Sequence, residues 1–128
     1  MSFCTAINCM DGRTQLPVNV YLREQLDVDY VDTITEPGPV RILAEEPDGE
    51  TTKSILRRID VSVKKHVSQC ISVVAHYDCT GNPADEDEQR GQLDLAVRFI
   101  AAQYPGVRVL GLWVDSTSVV TQACQAWD

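Results

Sequence analysis

The sequence predicts an α/β protein with three layers, α-β-α, built around a mainly parallel sheet of four to five strands. Strand-like and helix-like segments alternate along the chain, an order that places helical crossovers on the faces of a parallel sheet. The strand-like segments are mostly short apolar runs, as expected of strands buried on both faces. We expect the strand order 2-1-3-4, with a candidate antiparallel strand at the edge.

Size and composition indicate one ordinary globular domain. The chain has 128 residues, which we assign to a single domain 1–128, and 44% of them are hydrophobic. The formal net charge is -8 at pH 7 and the basic residues form no stripe, which argues against nucleic acid or an anionic membrane as a partner. Neither a secretory leader nor a membrane-spanning run is visible, so we expect a cytoplasmic protein.

The chain begins with a predicted strand followed by a helix. The mostly apolar run Phe3–Asn8 indicates the first strand. A helix is predicted over Gln15–Leu26, with Pro17 in its first turn. Its loose apolar stripe consists of Leu16, Val20 and Tyr21.

The second strand is predicted at Val28–Ile34, which is rich in β-branched residues. The segment Glu36-Pro37-Gly38-Pro39 then interrupts regular structure. Residues Val40–Glu46 are compatible with a short helix or an extended piece, and Glu45–Glu50 is predicted to be an exposed loop.

A second helix is predicted over Thr51–Val67, because apolar residues recur at every fourth position. These residues are Ile55, Ile59, Val63 and Val67. The continuous apolar run Ile71–Ala75 follows and indicates a buried third strand.

The third helix is predicted to begin near Asn82, as its N-cap, with Pro83 in the first turn. The acidic run Asp85–Glu88 complements the positive end of the helix dipole. A fourth strand is predicted at Val107–Val114, and Ser118–Thr121 is the candidate edge strand.

Five cysteines are present, and a chain of this size does not need disulfides in order to fold. Burial or metal binding is therefore the better interpretation. Cys4, Cys70 and Cys124 stand in apolar surroundings and are predicted to be small core residues. Cys9 and Cys79 differ, because each lies in a loop that follows a predicted strand.

Two loops carry the residue types of a metal site. Cys9-Met10-Asp11-Gly12-Arg13 follows the first strand, and His76-Tyr77-Asp78-Cys79 follows the third. In open α/β sheets, ligands bind outside the carboxyl ends of strands at the point where the strand order reverses. Two thiolates and one imidazole suit Zn²⁺, with the fourth tetrahedral position left for water or substrate.

Each of these residues also has a simpler interpretation. Taken alone, Cys9 could be a buried thiol at a strand end, and His76 a hydrogen-bonded core histidine. Asp11 and Arg13 could form only a surface ion pair of little consequence.

Three nearby residues are interpreted without a role in metal binding. Tyr77 is assigned to packing, and Asp78 to capping its loop as a hydrogen-bond acceptor. His66 lies on a polar helix face, where we expect it to be solvated.

The pairing of Cys-x-Asp-x-Arg after strand one with His-x-x-Cys after strand three resembles the β-class carbonic anhydrases. The similarity extends over the predicted helix Thr51–Val67 and over Gly111–Asp115, which looks like the family's strand before its last turn. By this resemblance, Asp11 and Arg13 form the family's carboxylate and guanidinium pair. The resemblance implies three zinc ligands, Cys9, His76 and Cys79.

The implied reaction is the reversible hydration of carbon dioxide to bicarbonate by zinc-bound hydroxide. Arg13 would keep Asp11 ionised, so that Asp11 either accepts a hydrogen bond from the zinc-bound water or closes the site as a fourth ligand. The family also implies a homodimer or a higher homo-oligomer.

Three alternatives stay open on the sequence alone. The chain could be a non-catalytic zinc-binding module with a regulatory role, or a hydrolase of carbon disulfide or carbonyl sulfide on the same scaffold. It could also be a metal-free thiol protein that uses Cys9 and Cys79 for redox chemistry.

Overall fold

The computed structural model describes residues 1–127 and contains one five-stranded sheet. The strands are ordered β2-β1-β3-β4-β5, and only β5 runs antiparallel to its neighbour, β4. This architecture confirms the predicted fold class, the order 2-1-3-4 and the presence of an antiparallel edge strand. The edge strand lies at Val120–Ala126, so the predicted bounds Ser118–Thr121 are wrong: residues 118 and 119 belong to the loop that precedes it. The strands are β1 (Phe3–Cys9), β2 (Tyr30–Glu36), β3 (Cys70–His76), β4 (Arg108–Val114) and β5 (Val120–Ala126).

Helices cover both faces of the sheet, because successive strand residues point to opposite sides. On one face, α1 buries Val18 and Leu22 against Ala6 and Val74. The other three helices form a larger core on the opposite face, around Ile7 and other strand residues. The helices are α1 (Gly12–Leu26), α2 (Pro39–Glu45), α3 (Glu50–Asp60) and α4 (Glu86–Gln103).

The predicted apolar stripe of α1 is wrong for Leu16 and Val20, whereas Tyr21 packs against the core as predicted. The helix buries Thr14, Val18 and Leu22, whereas Leu16 is 71% exposed and Val20 is 43% exposed. Pro17 lies inside the helix rather than in its first turn, because the helix already begins at Gly12. The buried face of the helix begins with Thr14, whose hydroxyl donates to the Asp11 carbonyl at 2.9 Å. Because this residue is polar, a pattern of apolar residues alone does not identify the buried face.

The second predicted helix divides into α3 and a π-helical turn, Val61–Lys65. Ile55 and Ile59 are buried as predicted, but Val67 is 72% exposed and has a positive φ of 55°. The chain leaves the α-helical path because the buried Ser62 hydroxyl is held by polar side chains of the sheet and the following turn. Its partners are Thr5, Asp32 and Ser68.

The segment between β2 and α3 is helical where the sequence left two alternatives. Pro39–Glu45 forms α2, which packs closely on α4. Gly38 precedes it with φ 62°, a left-handed conformation that glycine adopts at low cost. The exposed loop predicted before α3 is present over residues 46–49.

The N-cap of α4 is Asp85, not Asn82. The Asp85 carboxylate accepts the backbone N–H of Glu88 at 2.9 Å. Asn82 is instead buried, and its Nδ2 donates to Gln92 Oε1 at 2.7 Å. The acidic run does fall in the first turn of the helix, as predicted.

His66 is not simply solvated. Its Nδ1 lies 2.6 Å from Asp32 Oδ2, and its ring stacks on Phe3 with 4.2 Å between ring centroids. Cys4 and Cys70 are buried as predicted, whereas Cys124 is half-buried on the edge strand. Within residues 1–127, no helix combines the length and the apolar character needed to cross a membrane.

Candidate metal centre

The sheet brings the two cysteine-bearing loops together. β1 ends at Cys9 and β3 ends at His76, and these strands are parallel neighbours. Their carboxyl ends therefore open on the same edge of the sheet. Cys79 follows three residues after His76, beyond a left-handed residue, Asp78 (φ 49°), that turns the loop back.

Cys9, His76 and Cys79 form a compact buried cluster. Their ligand atoms all lie within 4.8 Å of one another, and each residue is at most 5% exposed. The two sulfurs are 3.8 Å apart. Two thiolates bound to one Zn²⁺ at about 2.3 Å, with a tetrahedral angle between the bonds, also lie about 3.8 Å apart. The spacing of the two sulfurs therefore fits two thiolates on one zinc ion.

The imidazole of His76 is oriented for the cluster. Its Nδ1 lies 2.6 Å from the Tyr77 carbonyl oxygen. That oxygen can only accept, so Nδ1 carries the proton and Nε2 is left with a lone pair. Nε2 is buried and finds no hydrogen-bond partner among residues 1–127. A buried polar atom in this state is costly, and a metal ion would satisfy it.

The three groups of the cluster shift one another's pKa values. The hydrogen bond from the Cys79 thiol lowers the pKa of Cys9, and the same contact raises the pKa of Cys79. Burial alone would lower the pKa of His76, but the neighbouring Cys9 thiolate outweighs burial and raises it. The two sulfurs are therefore linked through one short contact of 3.8 Å. A divalent cation would stabilise both as thiolates.

Three polar side chains that sequence reasoning missed hold the ligand-bearing backbone. Gln89 is 2% exposed and its Nε2 donates to the His76 carbonyl at 3.0 Å. Asn8 Oδ1 accepts the Cys9 N–H at 2.8 Å, and Gln15 Nε2 donates to the Cys9 carbonyl at 2.5 Å. Sequence gives little signal for such residues, because Asn and Gln usually face solvent.

Asp11 and Arg13 form a two-pronged ion pair beside the cluster. Arg13 Nη2 lies 2.6 Å from Asp11 Oδ2, and Arg13 Nε lies 3.0 Å from Oδ1. Asp11 is also the N-cap of α1, since Oδ1 accepts the backbone N–H of Arg13 at 2.9 Å. The hydrogen bonds from Arg13 hold the pKa of Asp11 at about 2. The carboxylate is therefore ionised at neutral pH.

Arg13 also reaches the opposite loop. Its Nη1 donates to the Tyr77 hydroxyl at 3.0 Å, and its Nη2 donates to the Asp78 carbonyl at 3.1 Å. The role assigned to Tyr77 as packing alone is therefore incomplete. Asp78 is exposed and lies outside the thiol and imidazole cluster.

A pocket of about 340 Å³ gives access to the cluster. Cys9 and Asp11 lie in its wall, so one residue of the cluster and the carboxylate of the ion pair face a common space. Met10 and Pro37 make part of the remaining wall apolar. A larger depression of about 470 Å³ lies by Phe3 and Tyr30, at the amino ends of the strands, and none of the cluster residues lines it.

The fold and the cluster define a class of protein. This is an α/β protein with a Cys-His-Cys site that could hold a metal ion at the carboxyl edge of a parallel sheet. A family model described as "Putative carbonic anhydrase" matches residues 1–124, so the chain belongs to this carbonic anhydrase family. The family predicted from the two motifs is confirmed.

Solved β-carbonic anhydrases share the fold. Isoform I of the protozoan Trichomonas vaginalis superposes with a TM-score of 0.63 at 16% identity, covering 97% of this chain and 83% of that one. A tetrameric β-carbonic anhydrase of the fungus Sordaria macrospora gives a TM-score of 0.64 at 13% identity, with coverages of 96% and 81%.

The carbonic anhydrase of Streptococcus mutans gives a TM-score of 0.57 at 18% identity, with coverages of 94% and 81%. A comparison with curated proteins found no match. At these identities the solved structures establish the fold of the chain.

Proposed function

We propose that this protein is a zinc-dependent carbonic anhydrase of the β class, which catalyses the reversible hydration of carbon dioxide to bicarbonate. The observation that carries the proposal is the buried Cys9, His76 and Cys79 cluster, with its sulfurs 3.8 Å apart, and an ionised carboxylate, Asp11, that lines one pocket together with Cys9. Membership of the carbonic anhydrase family supports the reaction.

In this proposal, Cys9, His76 and Cys79 hold Zn²⁺ and leave its fourth position open. When bound, zinc acidifies a water molecule, so that hydroxide is available near neutral pH for attack on carbon dioxide. The chain supplies a buried, preorganised site for this ion. The Tyr77 carbonyl fixes the tautomer of His76, and Gln89 holds the strand end from which that ring projects.

Asp11 is the proposed positioning carboxylate of the reaction. A carboxylate can accept about four hydrogen bonds, and Arg13 supplies three donors, its backbone N–H, its Nη2 and its Nε, the last of which is shared between both oxygens. One acceptor site is left for a proton donor in the pocket. The carboxylate can therefore accept one hydrogen bond there and orient the group that donates it.

The test is a stopped-flow measurement of carbon dioxide hydration on protein that carries one zinc ion per chain. Cys79→Ser should lose zinc and hydration activity together. Cys124→Ser is the matched control, because Cys124 lies half-buried on the edge strand and outside the cluster. It should retain both properties.

Zinc-loaded protein with no activity above that of Cys79→Ser would overturn the enzymatic proposal. That outcome would favour a non-catalytic zinc module. Offering carbon disulfide and carbonyl sulfide to the same preparations tests the alternative substrates, because they would use the same pocket.

We also propose a homo-oligomer. Leu16 and Val20 on the outer face of α1 are exposed, and together with Val120 of β5 they line a shallow apolar groove. The Sordaria macrospora neighbour is described as tetrameric. Light scattering coupled to size-exclusion chromatography should give the mass of a dimer or larger assembly, and a mass near 14.2 kDa would exclude one.

A further inference from the structure

Arg13 is more constrained than an ion pair with Asp11 requires. A guanidinium carries five N–H groups, and in this protein each of them has an acceptor. Asp11 takes Nε–H and one Nη2–H. The other three go to the Tyr77 hydroxyl, the Asp78 carbonyl and the Asp78 carboxylate, in the loop that carries His76 and Cys79.

These three contacts are unequal. The Asp78 carboxylate is 77% exposed and 3.4 Å from Nη1, so solvent screens it and its contribution is small. The Tyr77 hydroxyl is closer, at 3.0 Å, and the guanidinium carbon also lies 4.9 Å from the centroid of the Tyr77 ring. Tyr77 therefore holds Arg13 by a hydrogen bond and by a cation–π contact.

Tyr77 is itself fixed at both backbone polar atoms. Its N–H donates to the Val114 carbonyl at 3.1 Å, and its carbonyl accepts from His76 Nδ1 at 2.6 Å. One residue thus orients the imidazole of the candidate site through its main chain and the guanidinium through its side chain. Arg13 transmits that position to Asp11, because two of its N–H groups hold the carboxylate.

We propose that Tyr77 is a positioning residue that holds the Arg13–Asp11 pair in place, so that Asp11 stays beside the fourth metal position without occupying it. This inference rests on the proposed function for the presence of zinc. The Asp11 carboxylate lines the same pocket as Cys9, and a carboxylate is itself a good zinc ligand. Holding Asp11 to Arg13, and Arg13 to a fixed ring, keeps the fourth position open.

The experiment uses the full chain loaded with cobalt(II), whose visible absorption reports its ligands. Thiocyanate is the probe for an open fourth position. The wild type should show a spectral change on adding thiocyanate. Tyr77→Phe retains the ring and loses the hydroxyl, so we expect it to bind cobalt with unchanged stoichiometry but to bind thiocyanate about 10-fold more weakly, because Asp11 now competes.

The double variant Tyr77→Phe with Asp11→Asn should regain the thiocyanate response, because the competing carboxylate is gone. Tyr104→Phe is the matched control. Tyr104 donates its hydroxyl to Asp60 at 2.7 Å, far from the pocket, so its loss should affect stability and leave the cobalt spectrum unchanged. In the zinc form, Tyr77→Phe should lower kcat by about 10-fold or more, with little change in KM.

A thiocyanate titration of Tyr77→Phe that matches the wild type would overturn the inference. A weakened response that the double variant fails to restore would also overturn it, because the effect would then not pass through Asp11. The failure of the proposed function is a separate result: a cobalt-loaded wild type that responds to thiocyanate, with an inactive zinc form, would reject the reaction and leave the role of Tyr77 supported.

Discussion

Gly81 lies so close to Pro37 that a Cβ atom on Gly81 would come within 2.6 Å of the Pro37 carbonyl carbon. The contact joins the loop that carries Cys79 to the loop after β2, and both loops line the pocket at the candidate site. Because the opposing atoms belong to the backbone, no side-chain rotation can relieve an added methyl group. Glycine is required at position 81 because the two loop backbones approach each other closely, and not because its φ is positive.

Gly81→Ala should therefore destabilise the protein by about 1–3 kcal/mol, as an overpacked site does. It should also weaken zinc binding by about 10-fold, because the Cys79 loop must shift. Urea unfolding and competition with a chelator measure the two effects.

Gly91→Ala is the matched control for this substitution. Gly91 lies in α4, and a Cβ there would have no atom within 4 Å in the part of the chain that the structure describes. The change should stabilise the protein by about 0.5–1 kcal/mol. If Gly81→Ala and Gly91→Ala changed the stability equally, the close contact between Gly81 and Pro37 would be contradicted.

Asp11→Asn tests the carboxylate beside the cluster. Asparagine is as good an N-cap as aspartate, so α1 should remain intact. The negative charge is lost and one acceptor oxygen is replaced by an NH2 donor, and we expect hydration activity to fall by about 100-fold with zinc content unchanged. Asp85→Asn, at the N-cap of α4, makes the same chemical change away from the pocket and should leave activity intact. Full activity in Asp11→Asn would exclude a role for the carboxylate.

The pH dependence of stability provides a second test of this ion pair. Hydrogen bonds from Arg13 lower the pKa of Asp11 from 3.8 to about 2. Because the pKa of this carboxyl group is lower in the folded than in the unfolded protein, its ionised form stabilises the fold at pH values above the unfolded pKa. This stabilisation is lost as the pH falls towards 2. The urea midpoint of Asp11→Asn should therefore change less between pH 5 and about pH 3 than that of the wild type. If the urea midpoints of the two proteins changed equally over this pH range, the ion pair between Asp11 and Arg13 would not persist in solution.

Val67 carries backbone strain that a single substitution can remove. A β-branched residue at φ 55° is strained, and Val67 is 72% exposed, so its side chain contributes little by burial. Val67→Gly should stabilise the protein by about 1 kcal/mol, because the strain that it relieves exceeds the additional conformational entropy that glycine loses on folding.

Val119→Gly is the control for this prediction. Val119 is 51% exposed and is not among the positive-φ residues of the described chain, so the change should destabilise the protein slightly. Thermal unfolding of the two variants should therefore shift in opposite directions. A loss of stability in Val67→Gly would show that the turn does not need its left-handed conformation.

The fold was predictable because most of its strands are marked by apolar runs. Phe3–Cys9 and Cys70–His76 are buried over nearly their whole length, and burial on both faces requires continuous apolar sequence. The candidate site followed from this, since the two motifs stand at the ends of those strands. The placement of Cys9 next to Cys79, 70 residues apart in sequence, is a consequence of strand order.

What could not be predicted depends on polar contacts between distant residues. The buried face of α1 begins with Thr14, whose burial depends on a hydrogen bond and not on hydrophobicity. The π-helical turn depends on Ser62 meeting Asp32 of a different strand. The contact between Arg13 and the Tyr77 hydroxyl joins residues 64 positions apart, and no local pattern encodes it.

X-ray absorption at the zinc edge of the purified protein tests the central claim most directly, because it reports the atoms bound to the metal. We predict two sulfur ligands at about 2.3 Å and two nitrogen or oxygen ligands at about 2.0–2.1 Å. In Cys79→Ser, any zinc that remains should show one sulfur. Four sulfur ligands, none, or a protein that takes up no zinc would contradict a site made by Cys9, His76 and Cys79.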